Sequence, residues 1–323
     1  MKILKIILAV FLVLIIGGNF IFYFLVYKDV VTSFFMKKDL RGEIVYGLGG
    51  HTIKVIELPS QRDITVYSKN AGDNFGLMDP YFSPDGSMVV FSRDESSANR
   101  LFIMDSNGAN VKLFLDLGEE TNVVCPSWSP DGKKIAFIMQ NTNKEGLYVI
   151  DRHTRAITRV SSMRPEQDQP SWSPDSKKIA FTYENKVSRY LSNGLREERN
   201  MSGVCVVDIA TGNIENYIDL AMQPAWSPDG AKLAFEGIGG YHIMDVFDKT
   251  RQTVQLIIPV KKALIGIGGS FPVRWSPDGK YLVYAKELWY GIAGIYVTPI
   301  NNPKQQIRIG TDNQAIFGMS WAE

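Results

Sequence analysis

The distribution of hydrophobic and polar residues divides the chain into two parts. From Ile6 to Tyr27 there are 22 residues without a charge, and 16 of them are Ile, Leu, Val or Phe. As a helix rising ~1.5 Å per residue, this segment would span about 33 Å, which is enough to cross a hydrocarbon core of ~30 Å. From residue 43 onward, short alternating segments are separated by turn residues, a pattern typical of antiparallel β-strands.

The apolar segment has two interpretations, an uncleaved membrane anchor and a cleaved signal peptide. A signal peptide has a shorter apolar region, of about 7–15 residues, which ends in small residues. Here the apolar run is longer, and its second half, from Phe20 to Tyr27, is bulky. We therefore expect a transmembrane anchor over residues 6–27 and a stalk over residues 28–42.

Charges on both sides of the anchor bear on its orientation. Lys2 and Lys5 lie directly before it, and positively charged flanks favour the cytoplasmic side. Cations also follow the anchor and weaken the contrast: Lys28, Lys37, Lys38 and Arg41. We expect residues 1–5 in the cytoplasm and the bulk of the chain outside it. The stalk is either a plain linker or an amphipathic segment at the membrane interface.

A repeat governs residues 43–323. An aromatic residue is followed by Ser-Pro-Asp-Gly, or once by Ser-Pro-Asp-Ser, and then by an alternating strand. Pro fixes φ at the first central turn position, Asp suits the next and Gly accepts positive φ, so each copy predicts a β-hairpin. Two more strands follow each hairpin, which gives the four antiparallel strands of a propeller blade. The prolines of the five copies are Pro84, Pro130, Pro174, Pro228 and Pro277.

The two ends of this part complete a sixth blade. Three strands over residues 43–46, 52–58 and 63–67 lack a first strand, and Gly318–Ala322 supplies one, with Trp321 as its aromatic residue. We therefore predict an all-β, six-bladed β-propeller that is closed by a mixed N- and C-terminal blade and preceded by one transmembrane helix. Closure removes the open sheet edges that would otherwise invite aggregation.

The five hairpin copies resemble the TolB-like family of six-bladed β-propellers, whose blades carry the same motif. The resemblance covers nearly all of residues 43–323. It implies an extracytoplasmic interaction platform with an envelope protein or peptide as its partner. Against this family pattern, we expect a membrane anchor and no separate N-terminal α/β domain.

Composition limits the chemistry. The 35 Lys and Arg residues against 34 Asp and Glu residues give a net charge of +1, which argues against a nucleic-acid partner. Two cysteines cannot form a four-cysteine zinc site, and His51, His153 and His242 are scattered, so we expect no metal and no cofactor. No nucleophile elbow or phosphate loop occurs, and we expect a protein that is not an enzyme. Cys125 and Cys205 are either packed thiols or a disulfide.

Two sets of repeated residues are predicted to be structural. The motif aspartates suit their turn positions, although an acidic residue in each blade also raises the possibility of catalysis or metal binding. They are Asp85, Asp131, Asp175, Asp229 and Asp278. The aromatic residues are expected to pack between blades, with ligand stacking as the alternative. They are Trp128, Trp172, Trp226, Trp275 and Trp321.

First strands line the channel of a propeller, so the positions before the aromatic residue are candidate binding sites. The residues four positions before it form either an apolar ring with one acidic break at the channel mouth, suited to a peptide, or ordinary core. They are Met78, Val124, Asp168, Met222, Phe271 and Phe317. One position before the aromatic residue, Arg274 stands among mainly small residues. It either binds an anionic group or pairs with a carboxylate such as that of Asp168.

Two departures from the repeat are further candidates. Glu184–Ser202 lengthens one blade as either a partner-binding loop or a solvated hairpin extension, and Trp289 and Tyr290 would be aromatic anchors in an exposed loop. The sequence thus predicts a membrane-anchored extracytoplasmic scaffold for protein–protein interaction in the cell envelope. The alternatives are a propeller enzyme acting on a peptide or glycan in the channel, and a sensor or assembly factor that responds to a small ligand or ion.

Overall fold

A computed structural model describes residues 36–70, 73, 75–95, 98–141, 143–190, 196–246, 255–259, 272–289 and 292–323. Over these ranges the chain forms 24 β-strands in six four-stranded sheets, which confirms the prediction of an all-β, six-bladed propeller. No helix in these ranges has the length and apolar character needed to cross a membrane. The predicted anchor, residues 6–27, lies outside the described residues.

The strands follow one another around the ring in chain order. The sixth sheet, named blade I here, joins β1 (Gly42–Leu48), β2 (Thr52–Leu58) and β3 (Arg62–Ser68) to β24 (Ile316–Ala322). Blade II contains β4–β7 (Leu77–Phe82, Met88–Glu95, Ala98–Asp105, Lys112–Leu115), and blade III contains β8–β11 (Asn122–Trp128, Lys134–Gln140, Gly146–Asp151, Ile157–Ser161). Blade IV contains β12–β15 (Ser171–Trp172, Lys178–Tyr190, Arg196–Asp208, Ile214–Asp219), and blade V contains β16–β19 (Met222–Trp226, Lys232–Gly237, Gly240–Asp245, Gln255–Pro259). Blade VI contains β20–β23 (Val273–Trp275, Tyr281–Trp289, Ile292–Pro299, Ile307–Gln314).

The repeated motif forms the turn between the first two strands of blades II to VI. In blade III the Ser129 hydroxyl donates to Asp131 Oδ1 at 2.7 Å, and Asp131 Oδ1 also accepts the Lys133 N–H at 3.1 Å. Gly132 has a φ of +69°, which an L side chain rarely adopts. The other four copies repeat the serine–aspartate bond, so each aspartate serves its own turn. We name the face of the ring that carries these turns the motif face.

The chain ends close the ring as the sequence predicts. β24 pairs antiparallel with β1 from Glu43↔Ala322 to Leu48↔Ile316. Gly42, at a φ of +89°, lies so close to this partner that an added Cβ would stand 2.0 Å from the Ala322 carbonyl oxygen. The ends therefore meet at the motif face, where the Trp321 indole N–H donates to the Arg41 carbonyl at 2.8 Å.

Apolar side chains from neighbouring blades form the core between the sheets. One cluster joins blades VI and I and includes Tyr46, Ile56 and Val283, all fully buried. Burying an aliphatic or aromatic side chain of this size contributes about 1.5–3 kcal/mol. Met36 and Leu40, at the described end of the predicted stalk, are also buried in this cluster, so this end packs on the propeller.

The long insertion is a hairpin extension. β13 and β14 are each 13 residues long and pair continuously from Lys178↔Asp208 to Tyr190↔Arg196. Because β13 starts at the motif turn, this hairpin extends from the opposite face of the ring. The second predicted departure is only partly described: the backbone of Trp289 ends β21, and Tyr290 lies outside the described residues.

Candidate functional site

The first strands carry a bulge that shapes the channel. In blades II, III and V the pairing of the first two strands shifts register just before the aromatic residue. The residue three positions before the aromatic one has positive φ: Asp79 at 55°, Cys125 at 54° and Gln223 at 57°. A proline follows each of them and cannot donate to a sheet ladder, so the bulge breaks the pairing there.

Gln169 of blade IV crosses the channel and binds four other blades. Its Nε2 donates to the Asp79 carbonyl at 3.0 Å, with the carbonyls of Pro80 and Pro126 at 3.4 Å. Its Oε1 accepts Arg274 Nη2 at 2.8 Å and the Met319 N–H at 3.2 Å. Since the side chain is 2 % exposed, these bonds satisfy a buried amide and close the middle of the channel.

Arg274 is a buried cation at the base of the channel mouth. Besides Gln169, it binds its own neighbour, with Nη1 donating to the Val273 carbonyl at 2.7 Å. Its Nε has no hydrogen-bond partner among the described residues. Burial lowers the pKa of the guanidinium, and the nearby Tyr81, Asp168 and Asp79 oppose this shift. Gln169 is thus its side-chain partner in the described chain.

Asp168 links blades IV and V beside this arginine. Its Oδ2 accepts the Thr182 hydroxyl and the Gln223 N–H, the latter at 2.9 Å. Its Oδ1 has no partner among the described residues. Burial raises the pKa of the carboxyl to about 6, although both hydrogen bonds and Arg274 favour the charged form. A carboxyl with such a pKa changes charge close to neutral pH.

A second acid, which is half-buried, faces the same space. Asp79 Oδ2 accepts the Ser92 hydroxyl at 3.4 Å and the Cys125 thiol at 3.5 Å. Burial raises the pKa of Asp79 and, together with the charge of Asp79, raises that of Cys125 well above its usual range. We name the set Asp79, Cys125, Asp168, Gln169 and Arg274 the channel plug.

An open cavity of about 360 Å³ lies between the channel plug and the motif face. All six blades contribute to its wall, which combines motif prolines, indole edges and residues one position before the aromatic one. Trp128 and Trp226 line it, and their indole N–H groups are buried without a hydrogen-bond partner in the described chain, whereas Trp172 donates to the Ser127 carbonyl and Trp275 to that of Ala225. We name this space the mouth cavity.

Small residues beside the mouth cavity tie neighbouring blades together. The Ser171 hydroxyl accepts the backbone N–H of Trp226 at 2.9 Å, and the Ser320 hydroxyl accepts the backbone N–H of Phe82 at 2.8 Å. Ser171 and Ser320, two of the small residues that the sequence places around Arg274, therefore join neighbouring blades.

Comparison with solved structures places this architecture among known propellers. TolB from Acinetobacter baumannii superposes with a TM-score of 0.66 at 18% identity, covering 92% of this chain and 71% of that one. The chain has a TolB-like propeller fold. The nidogen–laminin complex gives 0.58 at 11% identity over 87% of this chain and 98% of that one. An oligogalacturonate lyase in complex with manganese gives 0.50 at 16% identity over 83% and 73%. The sequence matches no protein-family model and no curated protein sequence.

The four described side chains of the predicted ring, four positions before the aromatic residue, do not line the mouth cavity of this TolB-like propeller. Val124 is buried against Cys125 and Ile138, Asp168 belongs to the channel plug, and Met78 and Met222 are half-buried. These residues lie earlier along the first strands, farther from the motif face. Phe271 lies outside the described residues, as does the side chain of Phe317. Any role of this set in binding stays a prediction.

The remaining candidates are separated. Cys125 and Cys205 are both free thiols in different blades. His242 stacks on Phe235 at 5.5 Å between ring centroids, while His51 and His153 are exposed elsewhere. In the part of the chain that the structure describes, no three His, Cys, Asp or Glu side chains are grouped closely enough to hold a metal ion.

Sequence reasoning missed two members of the channel plug, Asp79 and Gln169. Both stand three positions before the aromatic residue, next to the positions that were singled out. The available signal was the proline that follows this position in four blades: Pro80, Pro126, Pro170 and Pro224. Four prolines at one position of a strand indicate a break in the ladder, where a side chain is turned toward the channel.

Proposed function

We propose that the chain is a membrane-anchored, extracytoplasmic propeller that binds protein partners of the cell envelope through its motif face. The mouth cavity carries this proposal, because it is a concave surface of about 360 Å³ shared by all six blades. Concave surfaces with few polar groups in fixed positions are the usual sites of ligand and peptide binding. The TolB-like fold, and the occurrence of a similar propeller in the nidogen–laminin complex, support a partner that is a protein.

The proposed orientation combines the apolar segment with the packing of residues 36–41. Eight residues, 28–35, separate the predicted anchor from Met36, and an extended chain of this length spans at most about 29 Å. Met36 and Leu40 pack on blades VI and I, and Arg41 meets Trp321 at the motif face. In this proposal the motif face therefore lies on the side of the bilayer, and the β13–β14 hairpin extends away from it.

Site-directed photocrosslinking of the full chain in its native membranes tests the proposal. A photoreactive phenylalanine analogue replaces Pro174, an exposed residue on the mouth cavity. The matched control carries the analogue at Ile238, which is 72% exposed in the β17–β18 turn of the opposite face. We expect discrete protein adducts from position 174 and few from position 238. Equal adduct patterns at both positions, or none at 174, would contradict binding through the motif face.

The location requires a separate measurement. Cysteine-free variants with a single cysteine at Lys144, an exposed residue, are labelled in intact cells with a maleimide that cannot cross the inner membrane. We expect labelling before lysis and co-sedimentation with membranes that resists carbonate washing. Labelling only after lysis would contradict the extracytoplasmic position, and release by carbonate would contradict the anchor.

One observation favours a second candidate, an enzyme. Buried acids with a pKa near neutrality are typical of general acid–base catalysis, and Asp168 has a pKa of about 6 beside Arg274. Only Arg274 of the two lines the mouth cavity. If a peptide or glycan substrate is found, Asp168→Ala and Arg274→Ala should each abolish its turnover. Unchanged turnover in both variants would exclude this pair as the catalytic site.

A further inference from the structure

A second cavity lies on the outer side of the ring, between blades II and III. Its volume is about 280 Å³, and β5, β6 and β7 of blade II form most of its wall. The turn between β10 and β11 of blade III completes it. We name this cavity the side groove; it is lined by Met88, Ile103, Lys112, Leu113, Phe114, Arg152 and Arg155.

The three cations of the side groove lack acidic partners. Lys112, Arg152 and Arg155 have no carboxylate within 4.0 Å in the described part of the chain. The nearby turn acid, Asp151, accepts the N–H groups of two residues of its own turn. Other arginines of the described chain do form ion pairs with carboxylates, as Arg100 does with Asp116 at 2.9 Å.

Neutral contacts hold these cations in place. Arg152 Nη2 lies 3.3 Å from Met88 Sδ, and its guanidinium stands 5.3 Å from the Trp128 ring centre. The Arg155 guanidinium stacks 4.0 Å above the Phe114 ring and donates to the Phe114 carbonyl. Positive charges that are positioned by ring and sulfur contacts keep their capacity for an anionic partner.

An apolar side chain is exposed beside these charges. Leu113 is 51% exposed, one of four large hydrophobic side chains exposed among the described residues. Phe114, next to it, is buried and forms part of the groove wall. A site with exposed apolar surface and unpaired cations is complementary to a segment that carries an apolar side chain between acidic ones.

The side groove borders the mouth cavity. Trp128 lines the mouth cavity, and Arg152 of the side groove lies over the same indole ring. The two cavities are therefore separated by a single buried side chain, that of Trp128.

We propose that the side groove binds an acidic segment of the partner protein. One large apolar side chain of that segment packs on Leu113 and Phe114, and flanking carboxylates pair with Lys112, Arg152 and Arg155. This inference rests on the proposed function, and it adds the negative charge and the apolar side chain by which the partner's segment is recognised.

Peptide binding to the full chain in zwitterionic nanodiscs tests the proposal. The probe is a fluorescein-labelled Glu-Glu-Phe-Glu-Glu peptide, followed by fluorescence anisotropy. We expect saturable binding that weakens with salt and is lost when lysines replace the glutamates. Alanine in place of phenylalanine should weaken binding by about tenfold, which corresponds to about 1.4 kcal/mol. Equal binding of the acidic and basic peptides would overturn the proposal.

Charge reversal locates the site. The double variant Arg152→Glu/Arg155→Glu should weaken binding of the acidic peptide at least tenfold. The control Lys177→Glu/Lys304→Glu makes the same change in net charge at exposed lysines of blades IV and VI, and should change binding less than threefold. Equal effects of the two double variants would show nonspecific attraction and overturn the proposal. Arg152→Gln/Arg155→Gln replaces the reversed variant if its near-ultraviolet circular dichroism differs from the wild type.

Two further arms separate the apolar contact and the competing ligand. Leu113→Ser should weaken binding of the phenylalanine peptide and leave binding of the alanine peptide unchanged. The control Ile238→Ser should change the binding of neither peptide. Nanodiscs containing phosphatidylglycerol should not displace the peptide, and displacement would assign the groove to lipid instead. Peptide binding that survives a failed crosslink at Pro174 would retain the groove and refute the proposed function. A successful crosslink without peptide binding would do the reverse.

Discussion

The aspartates of the motif turns and those of the channel plug differ in burial, in hydrogen-bond partners and in pKa. Asp175 is exposed and accepts the Ser173 hydroxyl, which holds its pKa below the usual range. Asp168 is buried, and burial holds its pKa at about 6. The turn acid is stabilised in its charged form by bonds within six residues, whereas the channel acid depends on groups contributed by other blades.

This difference distinguishes the residues that form every blade from the residues that are specific to this propeller. A turn that recurs five times needs the same acid each time, because its hydrogen bonds are local. A residue that occurs once at its position in the ring, such as Arg274, is determined by its particular partner across the channel, which here is Gln169. In a repeat protein, the departures from the repeat are therefore the first places to look for function.

The largest expected effect comes from filling the space beside the channel plug. An added Cβ at Gly318 would stand 2.4 Å from Asp79 Cα, at a φ of +62°. Gly318→Ala should therefore destabilise the propeller by roughly 3 kcal/mol or more, measured by chemical denaturation. Gly132→Ala, in an open turn at a φ of +69°, should cost about 1 kcal/mol. Equal losses would show that the channel is no more tightly packed than the turns.

The next effect comes from removing the amide that crosses the channel. Gln169→Ala leaves the Arg274 side chain, the Met319 N–H and three carbonyls without this partner, and should cost about 2–3 kcal/mol of unfolding free energy. The control is Gln167→Ala, two residues away, where an exposed amide binds Gln140. We expect less than about 0.5 kcal/mol for the control. Thermal unfolding of both variants provides the measurement. Equal losses in the two variants would contradict a structural role of Gln169 in the channel.

Asp168→Asn tests the sign of the channel acid's contribution. Its folded pKa, about 6, lies above the ordinary value of 3.8, so folding favours the neutral form. The stability from this group is present at low pH and lost as the pH rises from about 4 to about 6. Relative to the wild type, the variant should therefore gain about 2 kcal/mol between pH 4 and pH 7. A difference that does not change with pH would contradict a buried titrating carboxyl.

The smallest change in unfolding free energy is expected at a turn aspartate, and its pH dependence has the opposite sign to that of Asp168. Asp85 has a pKa lowered to about 2, chiefly by the Ser83 hydroxyl bond. Its contribution is present above the ordinary pKa and lost as the pH falls through about 2. Asp85→Asn should cost about 0.5–1 kcal/mol at pH 7 and progressively less below pH 4. Denaturation of both proteins at pH 3 and pH 7 provides the measurement.

The sequence predicts the ring and not the contents of its channel. The five motif copies and the terminal strand at Trp321 predict six blades because each copy specifies its own hairpin through local turn chemistry. Gln169 and Asp79 escape such reasoning because their contacts join strands about 90 residues apart. Those contacts exist only after the ring has closed, so the prolines that follow these positions mark a break in the ladder but do not identify the partners.

Chain order gives the pairing of β24 with β1 a consequence for biosynthesis. β24 follows every other described strand, and it supplies the inner strand of blade I, beside β1. Until those last residues are synthesised, the N-terminal blade keeps an unpaired edge at β1, which is open to pairing with other chains. Five blades emerge from the ribosome in sequence before the gap is filled, so the nascent chain has a long interval during which a chaperone can act. A truncation that removes β24 would leave the edge of β1 permanently unpaired.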